Sequence, residues 1–217
     1  MRTRHRFTDR GEAGRLLGAA LARQHWNDPV VLGLARGGVP VAAGVADALG
    51  APLDVMVARK IGAPTQPELA IGAVTADGAY LYDPESITAF GLRPEQLEHR
   101  KDAEAAEARR RQAAYRQDAP PAIGGCDTVL VDDGLATGLT AIAAVRTLRR
   151  YEPLSVTVAV PVASPSARSR VAGEADVAYA LHEPASFQAV GQWYRDFRQV
   201  EDAEVREILR ERSGSGA

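Results

Sequence analysis

The sequence predicts an α/β fold in which a mostly parallel sheet is covered by helices on both faces. Two observations support this class. Short apolar, β-branched runs alternate with helical patterns along the chain, and the loops between them are short. The chain has 217 residues, which favours one domain over 1–217, and its hydrophobic fraction of 46% and charged fraction of 25% are ordinary for a globular protein.

The first half of the chain predicts two helices and four strands. Asp9 and Glu12 have the spacing of a capping box and start the first helix. Gly50 closes a second helix over 41–49. The apolar runs that predict strands lie at 29–34, 53–58, 68–74 and 79–82. The last two runs are expected to pair across the turn at 77–78.

The second half begins with a long charged helix from Pro94 to about Gln117, followed by a breaker segment rich in Pro and Gly. The remaining strands are predicted at 128–131, 154–162 and 177–181, and the remaining helices at 141–148, 164–171 and 201–210. The tail 213–217 consists of Ser, Gly and Ala and is expected to be disordered.

Composition excludes several classes of protein. Cys126 is the only cysteine, which rules out an intramolecular disulfide and a multi-cysteine zinc site. The formal net charge of −2 gives no general drive toward nucleic acid or membranes. No apolar run approaches the length that spans a bilayer, and no apolar signal region follows the basic N-terminus, so we expect a cytoplasmic protein.

The segment 128–140 carries the strongest chemical signal. An apolar strand ends in Asp132-Asp133, a loop of small residues follows, and a helix begins at once. Such a loop presents backbone N–H groups beside the positive end of a helix dipole, which suits a phosphate. The carboxylates suit sugar hydroxyls, so the segment predicts a sugar-phosphate site. The alternative is a tight turn in which Asp133 or Thr137 only caps the helix.

This segment resembles the phosphoribosyl diphosphate (PRPP) motif of the type I phosphoribosyltransferases. The resemblance implies that Asp132 and Asp133 bind the ribose hydroxyls, directly or through Mg²⁺, which would reach them by way of those hydroxyls or water. It also implies that the loop amides and two hydroxyls hold the 5′-phosphate. The residues expected to do so are Gly134, Leu135, Ala136, Thr137, Gly138 and Thr140.

Two further segments match this interpretation. Arg36-Gly37-Gly38 follows the first predicted strand and resembles the pyrophosphate loop of the family, although a plain strand-to-helix turn has the same composition. Arg59-Lys60 is expected to end the second strand at the same rim, and 61–67 to form a mobile loop that closes over the site. The alternative for Arg59-Lys60 is a solvated basic pair. The segment 79–122 is interpreted as an insertion or hood.

The resemblance implies a reaction in which a nitrogenous base attacks C1 of PRPP and pyrophosphate leaves, as in nucleotide salvage. Arg36, Lys60, Asp132 and Asp133 are the expected catalytic residues, with Mg²⁺ as cofactor. Members that use 6-oxopurines often carry an additional Asp where this chain has Ala136, which argues against a hypoxanthine or guanine acceptor. A homodimer would be unsurprising.

The acceptor and the regulatory alternative are less well defined. Phe187 and Trp193 are aromatic candidates for stacking on a base, and their packing onto the core is the alternative. A regulator with the same fold that senses PRPP or a nucleotide, and binds RNA through the arginine-rich helix, is the second hypothesis. Because Glu and Arg alternate around 109–111, a solvated helix face is expected there, and no nucleic-acid partner.

Overall fold

The computed structural model describes residues 6–116 and 119–213, and it contains a five-stranded parallel sheet and a smaller antiparallel sheet. The strands are β1 Val30–Leu34, β2 Leu53–Met56, β3 Ala58–Gly62, β4 Ala70–Thr75, β5 Tyr80–Tyr82, β6 Asp127–Val131, β7 Ser155–Val162 and β8 Val177–His182. The helices are α1 Arg10–Leu21, α2 Gly38–Leu49, α3 Pro84–Ala89, α4 Glu98–Tyr115, α5 Leu139–Leu148, α6 Pro165–Ala172 and α7 Asp202–Ser213.

The large sheet has the strand order β2-β1-β6-β7-β8, and every neighbouring pair is parallel. Val31 pairs with Val129 and Leu32 with Leu130, so β1 and β6 end at the same edge. All five residues of β1 are buried, as expected of a strand covered on both faces. The predicted α/β class is confirmed.

Helices cover both faces of this sheet with separate apolar cores. On one face α1 and α2 pack against β1 and β6 through residues such as Leu17, Val45 and Val129. On the other face α5 and α6 pack against β6 and β7 through Leu130 and Val158, among others. None of the helices among the described residues is long and apolar enough to cross a membrane.

The second sheet, with order β3-β4-β5, is antiparallel and carries α3 and α4. It rests on α5, where Ala73 packs against Leu139 and the hydroxyls of Thr75 and Thr147 share a 2.8 Å hydrogen bond. The predicted pairing of 68–74 with 79–82 is present as β4 with β5. The segment 79–122, interpreted as the hood, contains β5, α3 and α4, whereas their partners β3 and β4 come earlier.

The second predicted strand is corrected by the structure. The run 53–58 divides at Val57, whose N–H donates to Gln112 Oε1 at 3.1 Å instead of continuing a ladder. The basic pair Arg59-Lys60 therefore lies inside β3, in the antiparallel sheet, and does not end β2. Ile61 and Gly62, predicted as loop, also belong to β3.

Other boundaries also differ. The short helix α3 was not predicted, although Asp83 caps it and Pro84 opens it. The charged helix begins with a 3₁₀ turn at Pro94–Gln96 and is α-helical only from Glu98. Ser213 ends α7, and the rest of the predicted disordered tail, together with Gln117, lies outside the described residues.

Helices α1 and α2 approach each other unusually closely because glycines face each other. A Cβ added at Gly14 would lie 2.5 Å from the carbonyl oxygen of Val41, and one added at Gly44 would lie 2.7 Å from the carbonyl carbon of Gly14. Both contacts are with backbone, so no side chain can rotate to make room. This packing fixes where the first residues of α1 lie relative to the sheet.

Gly44→Ala is expected to destabilise the protein by about 1–3 kcal/mol, because the added methyl group must push two backbones apart. In a chain of this size that corresponds to a fall in Tm of roughly 2–4 °C per kcal/mol, measurable by thermal denaturation. Gly173→Ala is the matched control, since its Cβ would meet only Arg170 O at 3.4 Å. An equal Tm for the two variants would contradict the close-packing argument.

Candidate functional site

An open cleft of about 790 Å³ lies at the carboxyl ends of β1 and β6, where parallel α/β sheets bind ligands. Residues that follow β1 and β6 line one part of it, and residues of β3 and α4 line another. Its lining includes Arg36, Gly37, Arg59, Lys60, Asp132, Asp133, Gly134, Leu135, Ala136, Thr137, Gly138 and Thr140. Nearly every residue that the sequence assigned to PRPP therefore faces one space.

The loop between β6 and α5 is shaped to present backbone amides. Gly138 has φ of +79° at the start of α5, a conformation that favours glycine. In the part of the chain that the structure describes, the N–H groups of Ala136, Thr137 and Gly138 have no acceptor. They lie beside the N-terminus of α5, which makes the loop suitable for a phosphate.

Leu135 plays a different part in this loop from the one expected. Its N–H donates to Val162 O at 2.9 Å, and its carbonyl accepts from Ser164 N at 2.9 Å. The Leu135 amide is therefore committed to β7 and is not available to a phosphate. This short bridge, together with a hydrogen bond from Ser164 Oγ to Ala136 O at 2.8 Å, holds the loop in place.

Asp132 and Asp133 form a half-buried pair of carboxylates directly after β6. Burial raises the pKa of both carboxyls, and the charge of Asp133 raises that of Asp132 further. The Lys60 ammonium and the Arg10 guanidinium act in the opposite direction on both. Asp132 Oδ1 also accepts a hydrogen bond from Asp133 N at 2.8 Å. The pair is thus held together against repulsion by nearby cations.

Arg10, at the start of α1, is a site residue that the sequence analysis missed. Its Nε and Nη2 donate to Asp133 Oδ2 at 2.9 and 2.8 Å. The ion pair is largely shielded from solvent, with 11% of the Arg10 side chain and 14% of the Asp133 side chain exposed. No local signal identifies this contact, because the two residues are 123 positions apart.

The first predicted phosphate loop, 35–38, has two glycines with different roles. Gly37 lines the cleft, and a Cβ there would lie 2.0 Å from Asp133 Oδ2. Gly38 is buried instead, since a Cβ there would lie 2.4 Å from Val131 O. Gly38 therefore brings α2 against the end of β6 and does not itself face the cleft. The peptide bond between Ala35 and Arg36 is cis.

Arg36 reaches the cleft but is already paired. Its Nη1 lies 3.4 Å from Asp202 Oδ1 and 3.9 Å from Glu201 Oε2, at the start of α7. Tyr115 Oη donates to the same Asp202 oxygen at 2.6 Å, and this hydrogen bond lowers the pKa of the Asp202 carboxyl. An incoming anion would have to replace these carboxylates as the ion-pair partner of Arg36.

Charged side chains of β3 and of α4 also line the cleft. Arg59 of β3 forms an ion pair with Glu104, whereas Lys60 is exposed. The face of α4 toward the cleft carries Arg100, Glu104, Arg111 and Tyr115, spaced by 4, 7 and 4 positions. The sequence predicts a solvated face around 109–111. The spacing of these four lining residues instead places them along one side of the helix, as a single stripe. The stripe indicates that α4 contributes to the site.

The two aromatic candidates for base binding do not line the cleft. Trp193 is buried with Phe7 and Tyr194, and Phe187 packs against the same cluster. The cleft is instead lined by the segment between them, 188–191, together with Phe197. The structure therefore packs both aromatic side chains onto the core, which is the alternative interpretation of the sequence.

The acidic pair has limited capacity for a metal ion. Among the described residues no group of three or more His, Cys, Asp or Glu side chains could hold one. Asp132 and Asp133 each have one carboxylate oxygen engaged within the protein and one without a hydrogen bond from described residues. This donor set fits Mg²⁺ bound mainly through substrate oxygens and water.

Comparison with known proteins identifies the family of this chain. Residues 12–178 match the family model described as phosphoribosyl transferase domain. The crystal structure of TT1426 from Thermus thermophilus is 44% identical, with a TM-score of 0.80 over 96% of this chain and 100% of that one. The resemblance inferred from the motif is confirmed.

Two curated relatives come from Mycobacterium tuberculosis, strains CDC 1551 / Oshkosh and ATCC 25618 / H37Rv. They are named "Putative phosphoribosyl transferase MT0597" and "Putative phosphoribosyl transferase Rv0571c", and each is 44% identical over 205 residues. The match covers 94% of this chain and 46% of the relative, so the chain spans about half their length. Because the family model spans most of the chain, including the loops at 35–38 and 132–140, the chain belongs to the phosphoribosyl transferase domain family.

Proposed function

We propose that this chain is a Mg²⁺-dependent phosphoribosyltransferase that transfers 5-phosphoribosyl from PRPP to a nitrogenous base and releases pyrophosphate. A single observation carries the proposal. A loop with free amides, a pair of carboxylates and a set of basic side chains converge on one cleft of about 790 Å³. PRPP has a 5′-phosphate, two ribose hydroxyls and a pyrophosphate, which match these three groups in turn.

In this reaction a bond forms between the base nitrogen and C1 of the ribose, and the bond from C1 to the pyrophosphate oxygen breaks. Negative charge develops on the leaving pyrophosphate, and the cations of the cleft would offset it. Lys60 is exposed and could contact the pyrophosphate directly. Arg36 would first have to leave its ion pair with Asp202. The protein orients the reactants and stabilises charge, and it needs no nucleophile of its own.

Ribose binding would use the uncommitted oxygens of the acidic pair. Asp132 and Asp133 would each accept a hydrogen bond from one hydroxyl, and the amides of 136–138 would hold the 5′-phosphate. Asp132 and Asp133 would also hold Mg²⁺ by way of water or the ribose hydroxyls. When bound, the ion supplies positive charge that offsets the charge of the pyrophosphate.

The acceptor is defined only by class, a purine or pyrimidine base or a similar amine, as in nucleotide salvage. Ala136 leaves the loop without the extra carboxylate that 6-oxopurine enzymes often carry. The segment 188–191 and Phe197 line the cleft and are better placed than Phe187 and Trp193 to touch an acceptor.

No structural observation favours the regulatory alternative. Arg110 and Arg111 share Glu107 as a partner, and the same helix also carries Glu98, Asp102 and Glu104, so most of its basic charge is offset within α4. A binding face for RNA would instead present uncompensated basic side chains. The cytoplasmic location stays a prediction from the sequence, as does a homodimer.

Asp133→Asn should weaken PRPP binding by about tenfold or more, because it removes the negative charge of the carboxylate that would accept a hydrogen bond from a ribose hydroxyl. Isothermal titration with and without Mg²⁺ measures this effect, and we expect the wild type to bind PRPP more tightly with the ion. Arg110→Gln, a change on the exposed face of α4, is the control. Failure of the wild type to bind PRPP would refute the proposed function, whereas equal binding by Asp133→Asn would refute only the assignment of that residue.

A screen of purine and pyrimidine bases should find at least one that releases pyrophosphate from PRPP, and Lys60→Ala should slow that release, because Lys60 offsets the charge of the leaving group. A coupled pyrophosphate assay is the measurement. Tight nucleotide binding combined with no release for any base would contradict an enzyme and support the regulator.

Asp132→Asn should stabilise the ligand-free protein at pH 7, because it removes a buried charge beside Asp133 while keeping an oxygen for the Asp133 N–H. The pKa of Asp132 is raised in the folded state, so the penalty is present above the folded pKa and vanishes below the unfolded one. We expect a rise in Tm of roughly 2–4 °C for each kcal/mol gained, lost at strongly acidic pH.

Thermal denaturation across pH tests this, with Glu207→Gln, at an exposed carboxylate outside the cleft, as the control. A lower Tm for Asp132→Asn at pH 7, or a gain that persists in acid, would show that the acidic pair is not under electrostatic strain.

A further inference from the structure

Arg10 holds Asp133 in a single orientation. Two of its nitrogens donate to the same oxygen, Asp133 Oδ2, at 2.9 and 2.8 Å. That oxygen also lies against Gly37, where a Cβ would come within 2.0 Å of it. Asp133 Oδ2 is therefore engaged by Arg10 and packed closely against Gly37, whereas the other oxygen of this carboxylate has no hydrogen bond from the described residues.

The C-terminal segment in turn holds Arg10 in place. Its guanidinium lies 4.0 Å from the centre of the Phe197 ring, and its Nη1 donates to Arg198 O at 2.8 Å. Tyr194 Oη donates to Asp133 O at 2.6 Å, which fixes the backbone of the same aspartate. The guanidinium of Arg10 is therefore held by a carboxylate, a backbone carbonyl and an aromatic ring.

These contacts come from outside the part of the chain that the family model matches. Arg10 precedes the matched residues 12–178, and Tyr194, Phe197 and Arg198 follow them. The two segments that flank the matched region thus meet at the acidic pair. The close packing of α1 on α2 at Gly14 and Gly44 fixes the position from which Arg10 reaches Asp133.

The consequence is a pair of carboxylates that each offer one oxygen. Asp132 Oδ1 is occupied by the Asp133 N–H, and Asp133 Oδ2 by Arg10. Two neighbouring ribose hydroxyls call for two acceptors, and the two uncommitted oxygens of this pair supply that number. Without the guanidinium, Asp133 would lose both hydrogen bonds that fix its orientation, and Lys60 would remain to offset its charge.

We propose that Arg10 is a positioning residue for sugar recognition, which holds Asp133 in one orientation so that the acidic pair presents two separate oxygens to the ribose hydroxyls of PRPP. This inference rests on the proposed function. It differs from a purely structural role because it predicts an effect on a ligand with ribose hydroxyls and none on a ligand without them.

The test compares PRPP with inorganic pyrophosphate, which has no ribose, by isothermal titration in the presence of Mg²⁺. Arg10→Met should weaken PRPP binding by well over tenfold, and Arg10→Lys by about tenfold, because lysine keeps the charge but loses the two-pronged contact. Binding of pyrophosphate should be unchanged in both. Arg15→Met, an exposed arginine on the same helix, is the matched control.

A double-mutant cycle identifies the partner through which Arg10 acts. In an Asp133→Asn background, Arg10→Lys should cause no further loss of PRPP affinity. Circular dichroism checks that each variant is folded, and if Arg10→Met is not, Arg10→Lys carries the test.

Four outcomes would overturn the inference. A wild type that does not bind PRPP would refute both the proposed function and this proposal. If the wild type binds PRPP and Arg10→Lys binds it equally well, only the role of Arg10 fails. An equal loss of PRPP and pyrophosphate binding would reduce Arg10 to a general structural contact, as would additive losses in the cycle.

Discussion

The structure is organised around two neighbouring, half-buried carboxylates at the end of one strand. Asp132 and Asp133 repel each other, and burial raises the pKa of both. The fold brings Arg10 from α1 and Lys60 from the antiparallel sheet to offset that charge. Three separate parts of the chain therefore converge on this point. The negative charge that destabilises the ligand-free protein is the same charge that would accept hydrogen bonds from a ribose.

The cations of the cleft are mostly paired within the protein. Arg36 and Arg59, which line the cleft, pair with Asp202 and Glu104, and Arg10, which does not line it, pairs with Asp133. Paired in this way, basic side chains can gather in one cleft without a large uncompensated charge. A polyanion such as PRPP would compete with these carboxylates, and each exchange would reduce the affinity gained. Arg10 is the most enclosed of the three, which suits a residue that orients the site and does not leave it.

The large sheet and the hood divide the work of the site. The loops at the ends of β1 and β6 are held by close backbone contacts, at Gly38 on one side and at the Leu135 bridge to β7 on the other. The smaller sheet rests on α5 through Ala73 and the buried threonine pair, and one stripe of α4 lines the cleft. The two loops thus belong to the core of the large sheet, whereas many of the charged side chains come from the smaller sheet and α4.

The sequence by itself determined the fold class, most strands and helices, and the PRPP motif, because periodicity, β-branched runs and a contiguous loop are local properties. It did not determine that Arg59-Lys60 lies within β3, since that depends on the hydrogen bond between Val57 and Gln112. Only the tertiary structure decided that Arg10 would hold Asp133, because the contact joins residues 123 positions apart and forms only when α1 packs on α2.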